Sequence, residues 1–140
     1  MVRINLINPQ NLTDQHLIAE YNEILMLLGY VKDYPECKNI PKEYGLGKGH
    51  LKFFKDKLFY LQKRHEQIKK EMKKRGFKTR KRADLAGFER KLINNWCPQK
   101  KDLVIIKQRL KERIGQKPEF YRYYGKYYKE RFFREMIEKA

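Results

Sequence analysis

The sequence predicts an all-α protein: one compact domain over residues 1–140, with three main helices, long connecting loops and an aromatic-rich C-terminal segment. Three observations carry this. Apolar residues recur at three- and four-residue spacing in three separate stretches, as one face of a helix demands. No internal repeat is visible, and no Ser/Gly-rich linker divides the chain. Hydrophobic residues make up 41% and aromatics 14% of the 140 residues, enough for a packed core rather than a disordered chain.

The first helix begins near Asn11 or Thr13, both good N-cap types, with Asp14 favourable in the first turn, and is expected to stop near Gly29. Leu17, Tyr21, Ile24, Leu25 and Leu28 form its inward face. At about 100° per residue, His16, Glu20 and Glu23 share a second stripe. That stripe reads either as a wet helix face or as a set of functional groups. Residues 30–50 form a loop ending Gly45-Leu46-Gly47-Lys48-Gly49-His50, whose glycines permit close backbone approach. The Gly-Lys-Ser/Thr ending of a phosphate-cradling loop is absent. A second helix follows from Leu51, with Phe54, Leu58, Leu61, His65, Ile68 and Met72 as its seam and Gly76 as its end.

Lys78 to Arg82 is a basic run without a structural signal, and Leu92 and Trp96 tuck against the core from the irregular stretch 83–98. The third helix runs from about Lys101 to Ile114, with Leu103, Ile106, Leu110 and Ile114 inward and Arg109 and Arg113 one turn apart on a flank. Five of the ten tyrosines then fall between Tyr121 and Tyr128, interleaved with basic residues. Such a block suits stacking on bases with phosphate contact, or simply folding over the core. Residues 129–140 read as a helical extension.

Charge narrows the function. Lys and Arg total 34 against 17 acidic residues, a net +17, and a domain so basic has nucleic acid as its commonest partner. A generally basic, solvated surface is the plainer alternative. Cys37 and Cys97 lack Cys-x-x-Cys spacing and only three histidines are present, so a zinc site has little support. No segment has signal-peptide or membrane-spanning character, giving the expectation of a soluble, intracellular, cytoplasmic monomer without membrane contact.

An ordered set of motifs sharpens this. Arg3-Ile4-Asn5-Leu6, Asp14-Gln15-His16-Leu17, Ala19-Glu20-Tyr21 and Glu23 open it. Leu46-Gly47-Lys48-Gly49-His50, Phe53-Phe54, Asp56-Lys57-Leu58, Lys63-Arg64 and Lys74-Arg75-Gly76-Phe77 follow. Arg109-Leu110, Ile114 and the Pro118–Lys126 block with Tyr123-Tyr124-Gly125-Lys126 complete it. Over about residues 2–126 the chain resembles the phage endonuclease V type of pyrimidine-dimer DNA glycosylase and abasic-site lyase. The stretches 30–45 and 78–98 match poorly, and the tail after Lys126 is additional.

The resemblance implies a DNA repair enzyme that excises pyrimidine dimers from double-stranded damaged DNA, with no metal and no cofactor. It implies that the same enzyme nicks the resulting abasic site by β-elimination, through a Schiff base on its N-terminal amine. The nucleophile would be the α-amine of Val2 after removal of Met1, and Glu23 the catalytic carboxylate, with Glu20 in a supporting role. An α-amine suits this chemistry, since its pKa near 7.7–8.0 leaves roughly a third neutral at about pH 7.4, against about 0.1% of a lysine. The resemblance also places Arg3, Gln15, His16, Arg109 and Arg113 against DNA, with Phe120, Tyr123, Tyr124 and Lys126 in a damage-recognition segment. Val2 replaces a threonine of the family, Asn22 and Met26 replace two arginines, and Phe120 a tryptophan. The alternative reading is a non-catalytic basic nucleic-acid-binding protein.

Overall fold

The computed structural model describes residues 3–140. It is mostly helical. The elements run α1 (Asp14–Asp33), α2 (His50–Phe53), α3 (Leu58–Lys74), α4 (Lys100–Gln116), a two-stranded hairpin β1 (Arg122–Tyr123) and β2 (Lys126–Tyr127), and α5 (Glu130–Glu138). Short 3-10 turns sit at Pro9–Asn11 and Arg90–Leu92. Helix α1 packs on α3 and α4 on α5, and their inward faces join one apolar cluster.

Thr13 caps α1, its hydroxyl accepting the His16 N–H at 3.1 Å. The helix does not stop at Gly29 as the sequence suggested. It runs one further turn because Val31 is fully buried, while Gly29 lies exposed with open space around its Cα. The expected single second helix is two: the chain leaves helical geometry at Phe54–Lys57 before α3 begins. The break lets the adjacent Phe53 and Phe54 both enter one aromatic cluster with Tyr44, Tyr60 and Trp96. Two neighbours in an unbroken helix would point about 100° apart. Gly76 does end α3, at φ +83°, with the Phe77 N–H returning to the Met72 carbonyl.

The start of the described chain is held by the glycine-containing loop. Ile4 N–H donates to His50 Nε2 at 3.0 Å, the Tyr44 hydroxyl donates to the Ile4 carbonyl at 2.9 Å, and Arg3 Nε donates to the Leu46 carbonyl at 2.8 Å. Close approach occurs at Gly49 alone of the loop's glycines, where a Cβ would stand 2.9 Å from Pro41, while Gly45 and Gly47 have open space. The basic run 78–82 is tethered: the Tyr21 hydroxyl accepts the Lys81 N–H at 2.9 Å and donates to its carbonyl at 3.1 Å.

The hairpin was not legible as such. Tyr124 and Gly125 both take positive φ, the requirement of the two-residue turn that matches strand twist. Tyrosine is a poor choice for that backbone, and Asp14 offsets its cost by accepting the N–H of Tyr124 at 3.0 Å and of Gly125 at 2.7 Å. Helix α5 is the expected extension, burying Phe133 and Ile137 against α4. Cys37 and Cys97 are free and exposed.

Candidate active site and nucleic-acid interface

The polar stripe of α1 is not a wet face. Glu20 is 0% exposed and lies in a two-pronged pair with Arg64, Nε to Oε2 at 2.7 Å and Nη2 to Oε1 at 3.0 Å. The remaining Arg64 donor bonds the Ile7 carbonyl at 2.5 Å. Burial would pull the Arg64 pKa down, but the Glu20 carboxylate more than offsets it and raises the net value. Glu20 is thereby tied into the core.

Glu23 is 9% exposed and differs in one respect: among the described residues it has no hydrogen bond or ion pair. Burial raises its pKa above the ordinary carboxylate value, and the positive charge of Arg3 only partly opposes this. The other buried acids are all answered. Asp14 and Glu71 share Arg75. Asp102 accepts the Gln99 N–H at 2.8 Å at the start of α4.

One turn toward the N-terminus of α1, a cleft of about 490 Å³ opens between that helix, α4 and the segment before the hairpin. Arg3, Gln15, His16, Arg109, Arg113 and Phe120, six of the residues singled out in the sequence, line it together. Phe120 stands at its rim with 56% of its surface exposed. Gln15 fixes the rim by bonding the Phe120 carbonyl at 3.1 Å and the Arg122 N–H at 2.9 Å. His16 stacks on Tyr121 with ring centroids 4.8 Å apart. Its pKa is lowered to about 3, first by burial and then by Arg109 and Arg113. The mutual repulsion of these cations acts in the same direction as burial on Arg109, whose pKa is also lowered. A wall of clustered arginines with few acids nearby attracts an anion.

Tyr123, Tyr124 and Lys126 are not brought to this cleft. The Tyr123 hydroxyl donates to the Gln10 carbonyl at 3.0 Å and that of Tyr124 to Glu71 at 2.9 Å, while both rings lie against the Arg75 guanidinium. Lys126 is exposed on β2. Val2, expected as the nucleophile, lies outside the described residues. Two cleft residues escaped sequence reasoning. Asn5 lies in an irregular segment with no periodicity to mark it, and its Oδ1 is buried without a partner among the described residues. Tyr121 was one of many tyrosines in its block, with nothing to distinguish the ring that turns toward His16. Among the described residues no group of three His, Cys, Asp or Glu side chains is placed to hold a metal ion, and no helix is long and apolar enough to cross a membrane.

In class, this is a mostly helical protein with an arginine-lined cleft one helical turn from a buried carboxylate that has no hydrogen bond or ion pair among the described residues. A family model described as pyrimidine dimer DNA glycosylase matches residues 1–85, and the chain belongs to that family. The matched span carries α1 to α3, both glutamates and the Arg3 side of the cleft. Members of this DNA repair family act on damaged DNA, which makes DNA the substrate.

Proposed function

We propose that the protein excises pyrimidine dimers and then nicks the abasic strand, with the α-amine of Val2, freed by removal of Met1, as nucleophile and Glu23 as the catalytic carboxylate. The whole chain acts as one domain, with residues 129–140 as its helical extension. The observation that carries this reading is Glu23, a buried carboxylate with no hydrogen bond or ion pair among the described residues, whose pKa burial raises despite the charge of Arg3. Such a carboxylate costs stability, and such a cost points to a group held ready for chemistry.

The amine attacks C1′ of the damaged nucleotide and the glycosidic bond breaks with its electron pair leaving on the base. The attached nitrogen then loses a proton, and its lone pair expels O4′ from C1′. O4′ takes up a proton, which leaves an iminium joined to the opened sugar. Glu23 offers negative charge to that cation. It then accepts the 2′ proton, so that electrons flow into the C–O bond of the 3′ phosphate and the strand is cut. A carboxylate pKa raised by burial suits the second step, since a more basic carboxylate accepts a proton more readily. Arg3, Gln15, His16, Arg109 and Arg113 hold the DNA backbone in the cleft beside this centre, and Phe120 presents its ring at the rim. Tyr123, Tyr124 and Lys126 extend the damage-recognition segment, the tyrosines indirectly through the rigidity of the hairpin.

Borohydride added during reaction with an abasic duplex tests the mechanism, because it reduces an iminium to a permanent protein–DNA adduct. Proteolysis of the adduct should leave the label on the N-terminal peptide, and intact-mass measurement should show the loss of Met1. An adduct on a lysine, or none at all, would overturn the amine mechanism and favour a protein that binds without catalysis. Cleavage of abasic but not of ultraviolet-irradiated duplex would remove the dimer as substrate.

A further inference from the structure

Thr13 is fully buried, and its hydroxyl meets two groups of one residue. Oγ1 accepts the His16 backbone N–H at 3.1 Å and lies 3.0 Å from His16 Nδ1. The hydroxyl has a single proton, and Nδ1 is the one acceptor placed to take it among the described residues. The opposite arrangement, with Nδ1–H donating to Oγ1, would leave that proton buried without an acceptor, which is costly. Burial and the charges of Arg109 and Arg113, facing the ring from α4, keep the imidazole neutral, while Tyr121 stacks on it at 4.8 Å. A neutral ring that accepts at Nδ1 carries its proton on Nε2. That nitrogen has no hydrogen bond among the described residues, and the ring lines the cleft.

We propose that Thr13 is a positioning residue for substrate binding, fixing His16 as an uncharged Nε2–H donor aimed at an anionic oxygen of the DNA backbone. The inference rests on the cleft being the DNA site. His16 supplies direction where Arg109 and Arg113 supply charge. An oxygen that accepts from a ring N–H fixed through its other nitrogen is held along one direction, which adds a geometric constraint to the charge of the two guanidinium groups.

Ring ¹⁵N NMR of the intact protein at neutral pH reads the tautomer with no variant and no DNA. The Nε2–H form is expected; an Nδ1–H form or an imidazolium overturns the proposal. Thr13→Gly removes the hydroxyl while keeping a good N-cap residue, so α1 is expected to survive. It should mix the two tautomers and weaken binding to an abasic duplex roughly five- to tenfold. Thr13→Ser should restore both readouts. A Thr13→Gly protein with an altered tautomer but wild-type affinity would overturn the role in binding. A wild-type protein with the expected tautomer that fails to bind damaged duplex would instead overturn the cleft as the DNA site.

Discussion

Glu20 and Glu23 stand three residues apart on α1, both buried, and differ in whether anything answers their charge. Glu20 is held by two donors of Arg64, which itself reaches the Ile7 carbonyl. Glu23 has no such partner among the described residues. The same division separates larger regions. Around Arg75, two carboxylates, a backbone carbonyl and two tyrosine rings close on one guanidinium whose side chain is wholly buried. Across α1, three arginines gather on one cleft, where like charges and burial lower the pKa of Arg109. Where cation and carboxylate pair, the fold gains rigidity; where like charges gather, an anion is attracted.

Exchanging each glutamate for its amide tests that division most severely. Glu23→Gln should lower the strand-cleavage rate by about 10²- to 10⁴-fold, the usual worth of a positioned acid–base group, with the melting transition scarcely moved. Glu20→Gln should show the reverse: a fall in melting temperature with the chemistry retained in whatever fraction stays folded. If both substitutions cost rate equally, the comparison fails. Arg64→Met comes next, since it strands the Glu20 carboxylate in the core and should cost about 3–5 kcal/mol in urea unfolding. The double variant Glu20→Gln, Arg64→Met should recover much of that loss, because it removes both charges together.

Acid sharpens the contrast between two histidines. His50 is closed: Nδ1 donates to the Gly45 carbonyl at 2.8 Å and Nε2 accepts from Ile4. Burial lowers its pKa to about 4, and that of His16 to about 3. In the unfolded chain both return to about 6.5. Below that pH the unfolded state takes up protons that the folded rings refuse. Stability is therefore fully present above pH 6.5 and is lost as pH falls toward 4 and then 3. At pH 5 the loss should reach about 2 kcal/mol for each ring, since both folded values lie well below 5. Urea titrations at pH 7 and pH 5 measure this, and His50→Gln should remove about half of the part due to these two rings.

The helical class and the inward faces of α1, α3 and α4 were legible because apolar periodicity encodes them directly, and the C-terminal extension because its Lys, Arg and Glu content suits a helix. The residues that gather at the cleft were legible only by resemblance, since Arg3, His16, Arg109 and Phe120 are scattered over more than a hundred positions and no local pattern joins them. What could not be read was pairing. His16, Glu20 and Glu23 formed one polar stripe until Arg64, 44 residues beyond Glu20, took one of the acids out of it. Tyr123 and Tyr124 looked free to stack on bases because Arg75, Glu71 and Asp14 are distant in sequence. Helix ends failed where burial of a single side chain, Val31, outweighed a terminal glycine.

The smallest effect expected is also the most direct test of where charge is open. Arg113 lines the cleft, whereas Arg131 on α5 is exposed and paired with Glu135 at 2.9 Å. Both carry one positive charge, so a protein that bound DNA through overall charge alone would lose equally from either change. If the cleft holds phosphate, Arg113→Gln should release one fewer counterion and flatten the plot of log affinity against log salt by about one unit. Arg131→Gln should leave the slope unchanged, because its charge is already met within the protein. Equal slopes for the two variants would mean that the cleft has no privileged phosphate contact, and that the arrangement of arginines around His16 does not decide where the backbone lies.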